Sequence, residues 1–142
     1  MGEVVYGAVN AGGWTGGSNV PHIIELEGLP DGLSSFWLRP DIYTRMEIMI
    51  QRSDAFVIFP GGAGTVQEML ALLILMQQHH PQIEGKPVVV FNRVDAEGRH
   101  FWGPLIDLLA AMEARSPFTV VESLDAVISE IKEKLLGRAL AA

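Results

Sequence analysis

The chain has 142 residues, of which 49% are hydrophobic and 19% charged, so its length and composition suit one folded domain rather than a disordered chain. Its 10 lysines and arginines are outnumbered by 17 acidic residues. The resulting net charge of −7 argues against a nucleic-acid-binding protein, which needs many cationic contacts to phosphates. The sequence contains no cysteine, which excludes disulfides, zinc ribbons and thiol catalysis.

No segment of the sequence is suited to spanning a membrane. The longest fully apolar run, Met69–Met76, has eight residues, whereas a spanning helix needs about 18 or more. The first residues also lack the basic stretch and the following apolar stretch of a secretory signal. We therefore expect a cytoplasmic protein without a membrane partner.

Hydrophobic periodicity and the positions of glycine and proline divide the chain into helices, strands and loops. Pro40 suits the first turn of a helix, and Ser123 suits the cap of another. In chain order, the predicted elements are a helix over 1–11, a strand over 20–26, a loop over 27–39, a helix over 40–53, a strand over 54–59, a helix over 66–79, a strand over 86–91, a helix over 104–115, a strand over 118–121 and a helix over 123–136.

The predicted strands after residue 53 are apolar on both faces and alternate with helices. This alternation is typical of a parallel sheet covered by helices on both faces. The sequence therefore predicts one α/β domain over residues 1–142. The helix after Thr65 is almost entirely apolar, which favours its burial against a second subunit.

The strongest chemical signal is a glycine-rich loop between the predicted strand 54–59 and the predicted helix 66–79. Such a loop presents backbone N–H groups at a helix N-terminus, where the helix dipole adds positive potential, and this suits a phosphate. A side chain at Gly61, Gly62 or Gly64 would block the approach of the anion or forbid a positive φ. In open α/β sheets, ligands bind beyond the carboxyl ends of the strands, where this loop lies.

Two common phosphate-binding motifs do not fit this loop. The Walker loop needs Gly-Lys-Ser/Thr, but Gly64 is followed by Thr65, and the dinucleotide fingerprint needs a glycine where Gln67 stands. An enzyme that uses ATP or a nicotinamide cofactor is therefore not expected. A purely structural interpretation stays open, in which Thr65 caps the helix and Glu68 completes a capping box without any ligand.

The residues of this loop also carry a family resemblance. Residues 60–68 read Pro-Gly-Gly-Ala-Gly-Thr-Val-Gln-Glu, and Arg45 precedes the run Asp54-Ala55-Phe56. The first run matches the motif PGGxGTxxE, and the chain resembles the Lonely Guy (LOG) family, formerly described as lysine decarboxylases, whose arginine helix has the same spacing. Residues 38–47 are similar to the bacterial nucleotide 5′-monophosphate nucleosidase branch. The resemblance covers most of the chain.

The resemblance implies a Rossmann-like domain that hydrolyses the N-glycosidic bond of a nucleoside 5′-monophosphate to a free base and ribose 5-phosphate. It implies that Arg45 and Glu68 are catalytic residues at the ribose. The implied phosphate-binding positions are Gly61, Gly62, Ala63, Gly64 and Thr65. Such a cleavage passes through an oxocarbenium-like state, and a nearby carboxylate stabilises that charge or activates water. The resemblance also implies a homodimer or a higher homo-oligomer that acts on a small nucleotide without a metal or a cofactor.

Two departures from the family pattern lead to alternatives. Met46 follows Arg45 where the family has a lysine, and the sequence begins inside the family's second glycine-rich turn, so we expect the first strand–helix unit to be missing. One alternative is a non-catalytic protein of the same fold that binds or carries a nucleotide or a molybdenum cofactor (a pterin). Another is a non-functional fragment that is stable only as an oligomer.

Overall fold

The structure is a computed structural model that describes residues 2–112 and 117–141, and the chain divides into two compact units, residues 1–52 and 53–142. Within the described residues, the elements in chain order are α1 (Gly2–Asn10), β1 (Gly16–Asn19), α2 (Pro21–Glu27), β2 (Ser35–Leu38), α3 (Ile42–Arg52), β3 (Phe56–Ile58), α4 (Ala63–Gln77), β4 (Val88–Phe91), α5 (Gly103–Ala111), β5 (Thr119–Val121) and α6 (Leu124–Ala141).

The first unit contains a two-stranded parallel sheet. Strand β1 pairs with β2 in a register that places Gly16 opposite Ser35 and Asn19 opposite Leu38. Helix α2 connects the two strands, and α3 packs against β1. Thr15, directly before β1, is buried. Its hydroxyl donates a 2.8 Å hydrogen bond to the carbonyl oxygen of Gly32, in the segment before β2.

The predicted strand at 20–26 is wrong, since these residues form helix α2. The reason is Pro21, which lies in the first turn of α2, where its fixed φ and missing N–H suit a helix start. The predicted loop at 27–39 is wrong in part, because Ser35–Leu38 forms β2. The residues that pair with it, Gly16–Asn19, carry no apolar side chain and gave no strand signal.

Glycine at position 16 is favoured by aromatic packing rather than by backbone conformation. A Cβ there would lie 2.8 Å from the Trp14 ring and 2.9 Å from the Trp37 ring, which is closer than side chains approach each other. The two rings are themselves neighbours, with centroids 6.1 Å apart. Strand β1 therefore passes beside a pair of tryptophans, and a side chain at position 16 would displace at least one of the rings.

The second unit contains a three-stranded parallel sheet in the order β3-β4-β5. Its three strands confirm the strands predicted within 54–59, 86–91 and 118–121. The central strand β4 carries Val88, Val89 and Val90, none more than 2% exposed. Parallel sheets flanked by helices also confirm the predicted α/β class.

The helices of the second unit lie close to their predicted positions. Helix α4 buries Met69, Leu72 and Leu73. Helix α6 packs against β4 and is capped as predicted, since the Ala126 N–H donates a 3.2 Å hydrogen bond to Ser123 Oγ. Helix α5 spans Gly103–Ala111, and the last residues of the predicted helix, 113–115, lie outside the described residues. Among the described residues, no helix is both long and apolar enough to cross a membrane.

Candidate functional site

The glycine loop connects the end of β3 to the start of α4. Gly62 is the residue before the helix, with extended backbone (φ −89°, ψ −158°), and α4 runs for 15 residues from Ala63. The first backbone hydrogen bond of the helix joins Val66 N to the Gly62 carbonyl oxygen at 3.1 Å. The N–H groups of residues 63–65 precede this bond and have no partner within the helix, so they lie at the positive end of its dipole.

Helix α4 begins at Ala63, before Thr65, so Thr65 does not occupy the N-cap position. Gly62 occupies the cap position, no side chain caps the helix, and Thr65 is the third residue of α4. The capping-box interpretation of Thr65 and Glu68 is therefore wrong. Glu68 is half-buried in the second turn of α4, three residues after Thr65, so the two side chains share one face of the helix.

The three glycines of the loop differ in what requires them. A Cβ on Gly61 would lie 2.8 Å from the Thr65 Cβ, so packing within the loop demands a glycine there. Gly62 and Gly64 would meet no atom of their own unit within 4 Å. None of the three has a positive φ, so the expectation that a positive φ requires them is wrong. At positions 62 and 64, neither the backbone nor packing within the unit demands a glycine.

Arg45 is held at the end of strand β1. It lies on α3, is half-buried, and its Nε donates a 2.9 Å hydrogen bond to the Ser18 carbonyl oxygen. The start of α3 is fixed by Asp41, whose Oδ1 accepts hydrogen bonds from Thr44 N at 2.9 Å and Tyr43 N at 2.8 Å. These bonds, that of Thr44 most of all, hold the pKa of Asp41 below its usual value. Arg45 thus lies in the first turn of α3, directly after the residues whose N–H groups Asp41 caps.

The predicted site residues are distributed over both units. The second unit brings Glu68 and the predicted phosphate-binding positions together on the loop and the first two turns of one helix, whereas Arg45 is positioned within the first unit. Within residues 2–112 and 117–141, no three His, Asp, Glu or Cys side chains are grouped so as to hold a metal ion.

A further polar cluster lies at the carboxyl end of β4, on the same edge of the sheet as the glycine loop. Asn92 is only 6% exposed, and its Oδ1 accepts a 2.7 Å hydrogen bond from Trp102 N. Its Nδ2 lies 3.3 Å from His100 Nδ1, which is 3.5 Å from a carboxylate oxygen of Glu122. The sequence signal for this cluster is Asn92 itself, a polar residue directly after a buried strand, where open α/β sheets bind ligands.

Comparison with known proteins links the chain to nucleotide-cleaving enzymes. The sequence profile of a family described as "possible lysine decarboxylase" matches residues 1–134. A cytokinin riboside 5′-monophosphate phosphoribohydrolase of Mycobacterium tuberculosis is 39% identical over 70 residues, which cover 49% of this chain and 37% of that protein. An enzyme of the same name from Rhodococcoides fascians is 26% identical over 141 residues, which cover 93% of this chain and 67% of that protein.

A third relative has a broader name. The pyrimidine/purine nucleotide 5′-monophosphate nucleosidase of Escherichia coli is 39% identical over 61 residues, which cover 42% of this chain and 13% of that protein. The chain thus spans from 13% to 67% of the length of these relatives.

Proposed function

This chain belongs to the family described as possible lysine decarboxylases, which is the LOG family that its loop motif resembles, and we propose that it hydrolyses nucleoside 5′-monophosphates. The proposed products are a free base and ribose 5-phosphate. All three relatives described above are named for reactions of nucleotide 5′-monophosphates. The observation that carries the proposal is the glycine loop, whose Gly62 and Gly64 serve no structural demand of their own unit.

The proposed phosphate-binding residues are Gly61, Gly62, Ala63, Gly64 and Thr65. Backbone N–H groups at the start of a long helix bind an anion well, since they have no partner in the helix and the dipole favours negative charge. The absence of side chains at Gly62 and Gly64 lets a phosphate approach those N–H groups closely. The Thr65 hydroxyl can donate a further hydrogen bond to a phosphate oxygen.

The proposed catalytic residues are Glu68 and Arg45. In the reaction, the bond between C1′ and the base nitrogen breaks, the base leaves with the electron pair and takes up a proton, and a water oxygen bonds to C1′. The carboxylate of Glu68 suits two tasks, stabilising the positive charge that develops on the ribose and removing a proton from the attacking water. The guanidinium of Arg45 suits binding of ribose hydroxyl oxygens, since it is a fixed fork of hydrogen-bond donors.

A second candidate function is that of a carrier that binds a nucleotide or a pterin without cleaving it. The observation that favours it is Met46, a half-buried residue of α3 at the position where the LOG family has a lysine. The carrier would use the same glycine loop and would need neither a base nor a nucleophile.

Two further expectations remain proposals. We expect a homodimer or a higher homo-oligomer, because the largely apolar helix α4 leaves Ile74 with 52% of its surface exposed. We also expect the chain to act in the cytoplasm on a small free nucleotide, with no metal and no cofactor.

The experiment that tests the proposal is liquid chromatography of products from a substrate panel. The panel contains the common nucleoside 5′-monophosphates, a cytokinin riboside 5′-monophosphate and the matched nucleosides that lack phosphate. We expect free base and ribose 5-phosphate in equal amounts from at least one monophosphate and none from the nucleosides. Release of no base from any monophosphate would contradict hydrolysis, and a nucleotide or pterin that stays bound unchanged would establish the carrier.

A further inference from the structure

His100 lies in a hairpin that returns to the carboxyl end of strand β4. The Phe101 N–H donates a 2.9 Å hydrogen bond to the Arg93 carbonyl oxygen, and Val94 pairs with His100 in an antiparallel bridge. The hairpin brings the imidazole of His100 back beside the side chain of Asn92, the first residue after β4. The imidazole is therefore held at the end of the central strand of the sheet, although its side chain remains 42% exposed.

The orientation of the Asn92 amide is fixed by its second partner. Its Oδ1 accepts the 2.7 Å hydrogen bond from Trp102 N, so the other end of the amide, Nδ2, faces His100. Asn92 is buried, and turning its amide round would leave the buried N–H of Trp102 without an acceptor. The Nδ1 atom of His100 thus has a hydrogen-bond donor, Asn92 Nδ2, at a distance of 3.3 Å.

The same ring nitrogen also has an acidic neighbour. A carboxylate oxygen of Glu122, the residue directly after β5, lies 3.5 Å from His100 Nδ1. When Nδ1 carries no proton, it accepts from the Asn92 amide, and when it carries one, the Glu122 carboxylate lies within ion-pair distance of it. The ring therefore has a partner in each protonation state. An imidazolium that keeps its Nδ1 proton toward Glu122 can release the proton on Nε2.

His100 and the glycine loop lie at neighbouring strand ends of one sheet. Strands β3 and β4 are adjacent and parallel. The residues that follow them, Phe59 and Phe91, are in contact, with ring centroids 6.0 Å apart. The glycine loop continues directly from Phe59, and Asn92 follows Phe91. Because adjacent strands are about 5 Å apart, a molecule of nucleotide size bound at the loop can span both strand ends.

The proposed hydrolysis needs a proton donor besides Glu68 and Arg45. Glycoside cleavage uses a base that activates water and an acid that protonates the leaving group. Glu68 suits the first task, and a guanidinium does not release its proton in proteins. Histidine is the side chain that most often serves as a general acid. Of the histidines in the second unit, His79 and His80 follow the far end of α4, whereas His100 lies at the edge of the loop.

We infer that His100 is a catalytic residue that protonates the departing base. The inference rests on the proposed function, because it requires a base that leaves. As the bond between C1′ and the base nitrogen breaks, its electron pair passes to the base, and the Nε2 proton of the imidazolium is transferred to the base. A water oxygen bonds to C1′ and gives a proton to Glu68. Solvent then removes that proton and returns one to His100, so the enzyme is unchanged after the reaction.

The test measures cleavage of two substrates by His100→Gln. The first is the nucleoside 5′-monophosphate that the unmodified chain cleaves fastest. The second is para-nitrophenyl riboside 5-phosphate, whose nitrophenolate leaves without taking up a proton. We expect His100→Gln to lower kcat for the nucleotide about 100-fold with KM unchanged and to cleave the nitrophenyl substrate at the full rate. The control is His79→Gln, which alters an exposed histidine of the same unit and should retain both rates.

Two further measurements separate this role from a structural one. Since the His100 side chain is 42% exposed, we expect His100→Gln to keep the Tm of the unmodified chain and its affinity for ribose 5-phosphate. The inference is overturned if the variant cleaves the nucleotide at the full rate, if it loses both substrates to the same extent, or if its Tm falls together with its activity. Failure of the proposed function looks different, since the unmodified chain itself would then release no base.

Discussion

The Thr65 side chain occupies the space in which a Cβ on Gly61 would lie. That Cβ would overlap the Thr65 hydroxyl and lie 2.8 Å from the Thr65 Cβ, so the two positions are coupled across the loop. Gly61 therefore lets the chain fold back over the first turn of α4, which brings the Thr65 hydroxyl against the loop backbone.

This relationship predicts that Gly61→Ala is destabilising and that the cost depends on Thr65. We expect Gly61→Ala to lower the free energy of unfolding by about 1–3 kcal/mol, because either the loop or Thr65 must move. The same substitution in a Thr65→Gly background should cost much less, since the obstructing atoms are gone. Urea unfolding of the four proteins of this cycle measures the coupling, and equal costs in both backgrounds would contradict it.

Gly64→Ala is expected to separate stability from ligand binding. Gly64 is the second residue of α4 and would meet no atom of its unit, so alanine should raise the free energy of unfolding by about 0.4–1 kcal/mol. The added methyl group should nevertheless obstruct the phosphate and weaken binding of ribose 5-phosphate. Paired unfolding and titration measurements check both changes, and a variant that is more stable but binds equally well would argue against the loop as the phosphate site.

Asn92 is expected to hold the connection between β4 and α5. Asn92→Ala removes the acceptor for Trp102 N, leaving a buried donor unpaired, and should lower the free energy of unfolding by about 1–3 kcal/mol. The control is Asn10→Ala, which alters an exposed residue at the end of α1. Chemical denaturation compares them, and a loss no greater than that of the control would show that the Asn92 bond does not matter.

The cap of α3 predicts a pH dependence of stability. The pKa of Asp41 is lower in the folded chain than its ordinary value of 3.8, so its ionised form stabilises the fold above that value, and this contribution is lost as the pH falls through the folded pKa. The stability difference between the unmodified chain and Asp41→Asn should thus be full at about pH 6 and shrink in acid. Unfolding curves over this range test it, and a difference that grows on acidification has the wrong sign.

The strands of the second unit could be predicted because short stretches of its sequence carry the pattern of the element that they form. Val88, Val89 and Val90 form a continuous apolar run that only a strand buried on both faces explains. The first unit was harder to predict, because its strand β1 consists of glycine and small polar residues. That strand lies beside Trp14 and Trp37 at Gly16, a contact made in three dimensions that no periodicity reveals.

In the candidate site, too, the sequence predicted the position of the loop but not the contacts that its residues make in the folded chain. Glycine spacing was enough to locate the loop, but it could not show that Thr65 requires Gly61 while nothing in the unit requires Gly64. It also placed the helix start three residues late, because Gly62 rather than Thr65 precedes α4.

The most direct test of the account compares base release by Glu68→Gln with that by the unmodified chain. Glu84→Gln, which alters an exposed glutamate of the same unit, is the control. If Glu68 acts at the ribose, its variant should fold normally, bind the nucleotide and release base about 100-fold or more slowly, while Glu84→Gln retains the full rate. Base release by Glu68→Gln at the rate of the unmodified chain would contradict the proposed mechanism.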